Sequence, residues 1–348
     1  MQSQNKGSRK INKISFKKFS EEKINEISYL ASYALLLSYL EFFIPRPLPF
    51  LRLGLSNAVI LYALSMDFSS LFLLCIIKTV CSAFISGTFF SPFFLISFSQ
   101  SLASALAMYS LNFISKKIFK DKLFSLYGIS LFGSAISAIV QILLCTIYLG
   151  LGTIKLMGIM LFFSIFSGII TAYLSQKLSL QISTQLPLQS SFQTPKEEKI
   201  SSKTKVINLL KILFLVIFSL IIFLTNKLLL LIIFFILSFL LQFFSKKKLN
   251  ILPHIFMWAF VFITGIFIPN GKIFFYIGNL AITKGALVSS AIKSLKLSSS
   301  MALSQVAVLI PIYGKGIISK TIKNFQTLVS QNKFTKENWK DYFSLKEQ

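Results

Sequence analysis

From about Leu30 to Leu174 the chain runs as a succession of long apolar stretches broken only by short basic or proline- and glycine-containing connections. A soluble fold has too little polar surface to accommodate such a pattern. With 54% hydrophobic residues, 14% charged residues and a mean hydropathy of +0.73, the solvent this sequence expects is a bilayer. The fold class read from it is all-α, a polytopic membrane protein.

Charge is lopsided, 36 Lys plus Arg against 11 Asp plus Glu, for a net charge of +25. Nucleic acid is a poor explanation, because the basic residues cluster between apolar runs as topology signals do. Cys75, Cys81 and Cys145 lie inside apolar runs, where a thiol behaves as a small hydrophobe, so neither a disulfide framework nor a metal site is implied. The basic segment up to Lys23 precedes an apolar run that is longer than a signal-peptide core and lacks a small-residue cleavage site. It is expected to stay attached.

About 20 apolar residues cross a bilayer. On that measure the first half holds six spans, approximately Ile27 to Ile44, Leu53 to Met66, Phe68 to Ile85, Pro92 to Ser115, Phe124 to Gly150 and Ile154 to Gln176. The second and third are short and nearly continuous, either two kinked helices or one long tilted one, depending on the turn at Asp67. Lysines before the first span, after the fourth and between Lys177 and Lys205 put all three segments on the cytoplasmic face of a bacterial inner membrane. Residues from about Leu178 to Lys205 are rich in Ser, Gln, Thr, Pro and Lys and read as a linker. The expected organisation is a basic N-terminus (1–26), a six-span domain (27–177), a cytoplasmic linker (178–205), a second membrane module (206–314) and a basic tail (315–348). In the second module, Phe274 to Ile292 is expected to be a further span, followed by helices at the cytoplasmic surface.

Two ionisable residues are set into the apolar runs. Glu41 ends the first span, and Lys78 lies near the middle of the third, where a charge costs roughly 2.5–3.5 kcal/mol on insertion scales. Lys78 is expected to face the bundle interior, either paired with Glu41 or touching an anionic solute. Pro45, Pro47 and Pro49 stiffen the connection after Glu41, each ring fixing φ and removing a donor. Together with Gly54 they suggest a preformed gate. Arg46 and Arg52 in this loop run against the positive-inside rule on the outer face, which points to binding. Asn57, Gln100 and Gln141, with Ser134 and Ser137, place hydrogen-bonding groups inside spans, where they bridge helices or meet solute. The aromatics of Gly87 to Ser97 line a pocket or face lipid.

There is no phosphate-binding G-x-x-x-x-G-K-[ST] loop and no Asp-rich pair to hold magnesium against a diphosphate. His254 is the only histidine, so His-based acid–base chemistry is not expected. No catalytic residue, metal or cofactor is assigned.

The run Glu41, Ile44, Pro45, Pro47-Leu48-Pro49 and Arg52-Leu-Gly-Leu-Ser-Asn57 resembles the signature of the Gx transporter family, long catalogued as heptaprenyl diphosphate synthase component I. Lys78, Gly87 with Phe90 to Ser97, Gly128 to Gly133, Gln141 and Ser167-Gly168 extend the likeness over roughly residues 28–177. Gln100 and Ser101 replace a glycine pair frequent in that family, and Ser137 and Ala138 replace a His-Asn pair. The family is similar to substrate-binding S components of energy-coupling factor transporters, six-helix proteins that work with a T component and two ATPases. That likeness implies Glu41, Arg52, Asn57 and Lys78 as ligand-facing residues, with ATPase subunits and a T component as partners. The second half is more weakly similar to a T component, with Lys293, Lys296, Lys315, Lys320 and Lys323 available as a basic coupling surface. Three functions compete on this reading: a transport component binding a small vitamin-like or isoprenoid-related solute, a membrane accessory subunit of a prenyl diphosphate synthase, and a structural membrane partner.

Overall fold

A computed structural model describes residues 20–41, 52–119, 124–185, 202–245, 250–278, 280–310 and 316–331. The described residues are helical apart from one hairpin and short connections. Among them five stretches are long and apolar enough to cross a membrane: Phe68–Ser86, Pro92–Lys117, Leu126–Leu149, Leu151–Ser179 and Val206–Leu224. In this and the following descriptions, "lower" means the end of the molecule holding Lys23 and "upper" the end holding Glu41.

Helix α1 (Glu21–Glu41) is less apolar than these five, because it carries Glu21, Glu22, Lys23 and Glu26 in its first turns and several serines and tyrosines beyond. It is nonetheless the best-buried helix, with every residue from Ile27 to Leu37 buried. It sits at the centre of the first core with α3 (Phe68–Ser86) and α11 (Ile317–Gln331) against it. A helix enclosed by protein needs no lipid-facing side, which is why its composition departs from that of its neighbours.

Between Glu41 and Asp67 the expected second helix is replaced by a broken crossing. Residues 52–54 lack helical structure, α2 (Asn57–Tyr62) has only six residues, and a 3-10 turn (Ala63–Ser65) completes the segment. Leu53 lies beside Glu41 at one end and Asp67 beside Lys23 at the other, so the strand of chain runs the length of α1. Backbone freed from a helix at this depth is tolerated only inside protein. Leu55, Ala58, Val59, Ile60, Leu61 and Ala63 are all buried, among α1, α4 (Pro92–Phe119) and α6 (Met157–Gln185).

Helices α4, α5 (Leu126–Leu149) and α6 form an antiparallel sheet of helices. The approach of α5 to α6 depends on Gly168, where a Cβ would come within 2.6 Å of Ser134 Oγ and 2.9 Å of Leu131 Cα. That proximity lets Ser130 Oγ donate to the Gly168 carbonyl at 2.7 Å and Ser134 Oγ to Ser164 O at 2.8 Å.

The second half comprises α7 (Ser202–Leu224), α8 (Leu228–Phe244), α9 (Leu252–Ile266), a hairpin of β1 (Ile273–Ile277) and β2 (Leu280–Thr283), and α10 (Lys284–Ala307). The hairpin corrects the expected span from Phe274 to Ile292. Ile277 pairs with Leu280, so the two strands run antiparallel across a short connection that begins at Gly278. Helix α10 packs on α7, α8 and α9 rather than lying on a surface. Its Lys293 donates to Leu149 O at 2.7 Å, and Lys296 to Phe223 O and Asn226 Oδ1, each at 2.8 Å. Both ammonium groups thus close the C-terminal ends of α5 and α7, where unpaired carbonyls carry partial negative charge. These two lysines therefore hold helix ends within the fold.

The two halves share packing. Met257, Phe260, Val261 and Leu297 lie in one apolar core with Ile142, Cys145 and Met160. Polar contacts join them as well: the turn from Ser86 to Phe90, between α3 and α4, accepts Gln305 Nε2 at Ser86 O (3.2 Å) and Ser219 Oγ at Phe90 O (3.0 Å), while Phe90 N donates to Ser304 Oγ at 2.9 Å.

Candidate functional site: a charged cavity inside the first half

Two adjoining cavities, of about 20 and 40 Å³, open between the helices of the first half and share Arg52, Asn57 and Ser137. The larger brings together Glu41, Arg52, Gly54, Asn57, Lys78 and Gln100, five of them expected ligand-facing residues and the sixth the glycine placed in the gate. Gln141 lines the smaller one. Pro45, Arg46, Pro47 and Pro49 lie outside the described residues.

The local backbone explains how these side chains meet. Gly54 takes φ +71°, a left-handed conformation that an L residue adopts only with strain. Its carbonyl accepts the Asn57 amide at 2.8 Å, which turns the chain into α2 and points Asn57 at α3. Glu41 then serves the interrupted backbone, accepting the Leu53 amide at Oε1 over 2.7 Å, while Ser167 Oγ donates to the Leu53 carbonyl. A carboxylate accepting a main-chain N–H is a strong, charge-assisted bond.

Lys78 is 3% exposed and donates to Asn57 Oδ1 at 2.6 Å. Glu41 and Lys78 thus engage separate partners while lining the same cavity. Burying an ammonium costs several kcal/mol unless charge and hydrogen bonds compensate; the amide oxygen of Asn57 answers one of three N–H donors. Gln100 is 7% exposed, and its Oε1 has no hydrogen-bond partner among the described residues; the same holds for Ser104 Oγ in the adjoining cavity.

Sequence reading overlooked most of the hydroxyl lining. Ser97, Gln100, Ser101 and Ser104 on α4, Ser130, Ser134, Ser137 and Gln141 on α5, and Ser164, Ser167 and Thr171 on α6 all border the cavities. Their three-, four- and seven-residue spacings mark one polar stripe on each helix, the signal by which they were legible. The aromatics of the Gly87 to Ser97 stretch do not line these cavities. Phe84 stacks on Phe89 at 4.2 Å between centroids, and Phe89 meets Phe94 at 4.8 Å.

The geometry defines a multi-helix membrane-type bundle with a small, buried, charged cavity. Residues 30–178, which contain every described residue of that cavity, match the family model described as heptaprenyl diphosphate synthase component I. Residues 207–309 match that of a domain of unknown function (DUF8519). No curated protein and no solved structure matches the chain.

Proposed function

We propose that the chain is a membrane transport component that takes a small solute into the cavity between α1, α3, α4 and α5 for import powered by separate ATPase subunits. The observation carrying this reading is Lys78: a buried ammonium lines one cavity with Gln100, whose Oε1 has no partner among the described residues, a costly arrangement for a purely structural bundle. The lower end, with its lysines, faces the cytoplasm of a bacterial inner membrane, and Glu41 then lies toward the outer face. The second half is the coupling module, with a T-component-like role, and exposed Lys323 of α11 offers a basic group to a partner. A cavity of about 40 Å³ takes a compact solute or a head group, not a polyprenyl chain.

The matched family description favours a second reading, a membrane accessory subunit of heptaprenyl diphosphate synthase. Mass spectrometry of metabolites co-purifying with the detergent-solubilised chain, together with identification of bound proteins, separates the two. A small metabolite retained by the wild type and lost from both Lys78→Ala and Glu41→Ala supports transport. An empty cavity with a prenyl diphosphate synthase subunit as the co-purifying protein overturns it.

A further inference from the structure

The cavity's charges and its orphaned acceptor specify the class of solute, an inference that rests on the solute-binding reading above. Two cations, Arg52 and Lys78, line the larger cavity beside a single carboxylate, Glu41. The other carboxylates of residues 1–177 are Glu21, Glu22, Glu26, Asp67 and Asp121. Glu21, Glu22 and Glu26 lie in the first turns of α1, Asp67 pairs with Lys23 beside them, and Asp121 falls in the connection after the lower end of α4. Among the described residues the cavity therefore holds one formal positive charge in excess, in surroundings where solvent screening is weak.

Gln100 adds a second requirement. It lines the cavity at 7% exposure, and its buried Oε1 has no donor among the described residues, so a neutral N–H or O–H is missing at the cavity wall. Size adds a third. About 40 Å³ corresponds to roughly three or four waters, at about 10–15 Å³ each, so only a compact solute fits.

We infer that the cavity binds a small organic monoanion, a carboxylate held by Lys78 and Arg52 that carries a neutral hydroxyl or amide donor for Gln100 Oε1. Asn57 is the positioning residue, holding the Lys78 ammonium at 2.6 Å until the carboxylate shares it. Halide and nitrate satisfy only the charge, and neutral polyols only the acceptor.

Three isosteric probes test this on the full chain in detergent by isothermal titration: lactate, propionate, which lacks the hydroxyl, and lactamide, which lacks the charge. Lactate is expected to bind at least about tenfold tighter than either. In Gln100→Met the preference for lactate over propionate disappears while propionate affinity holds. In Lys78→Met lactate is lost and only lactamide-like weak binding is left. Equal affinity of lactate and lactamide, equal affinity of lactate and propionate, or an unchanged lactate preference in Gln100→Met overturns the inference, as does failure of all three probes. If all three fail but a metabolite still co-purifies and is lost from Lys78→Ala, the chemical class is wrong and the solute-binding reading stands. If no metabolite is retained either, both fall.

Discussion

Lysines set into helices of the two halves of this protein have different kinds of partner. Lys78 in α3 meets a side-chain amide inside a cavity lined by a carboxylate, an arginine and a free glutamine carbonyl. Lys293 and Lys296 in α10 meet main-chain carbonyls at helix ends, in positions where the acceptors are fixed by the fold. An amide side chain can rotate and share its partner with an incoming group; a terminal helix carbonyl cannot leave without unwinding the turn that holds it. The contrast teaches that a lysine's depth in an apolar run does not define its role; the mobility of its partner does.

The largest test of that contrast is ligand retention. Lys78→Ala removes a charge-assisted bond of about 1.5–3 kcal/mol and is expected to weaken solute binding roughly tenfold to a hundredfold, read by equilibrium titration of the co-purifying metabolite. Lys293→Ala is expected to leave that affinity within about twofold; an equal loss in both variants would break the distinction. Next in size is Gly168→Val, which drives a side chain into Leu131 and Ser134 and should destabilise the first half by about 1–3 kcal/mol, visible in thermal unfolding of the detergent-solubilised chain.

Smaller effects belong to the second half. Lys293→Met and Lys296→Met each uncover a helix end and should cost about 0.3–2 kcal/mol in the same unfolding assay, with ligand binding unchanged. The smallest effect is at the lower rim, where the Lys23 ammonium, 3.1 Å away, and the Ser70 hydroxyl hold the Asp67 carboxyl below its ordinary value of 3.8. Because the folded value is depressed, this contribution is present above the unfolded value and fades as pH falls below it toward the folded one. Both side chains are about half exposed, so Asp67→Asn should cost under about 1 kcal/mol at neutral pH, less in high salt, and flatten the acid limb of the stability profile.

Apolar length made α3, α4, α5, α6 and α7 legible, since each run had to be helical to satisfy its own backbone in lipid. The run from Leu53 to Met66 misled for the same reason: its pattern is apolar, but its backbone is satisfied by Glu41 and Ser167 from elsewhere in the chain. Phe274 to Ile277 carried no periodicity to separate strand from helix, although Gly278-Asn279 was a two-residue hairpin signal. Lys78 was expected inside the bundle from its flanking residues alone. The duties of Lys293 and Lys296 were hidden because their acceptors lie 144 and 73 residues away, beyond any local pattern.

The turn between α3 and α4 imposes an order on biogenesis. Phe90's amide finds its acceptor, Ser304, only 214 residues later. At about 5–20 residues per second of synthesis, that turn waits roughly ten to forty seconds for α10 to emerge. A chain truncated in the linker would leave the Ser86, Gly87 and Phe90 backbone without its clamp, so the joint between the halves closes only when the distant end has arrived.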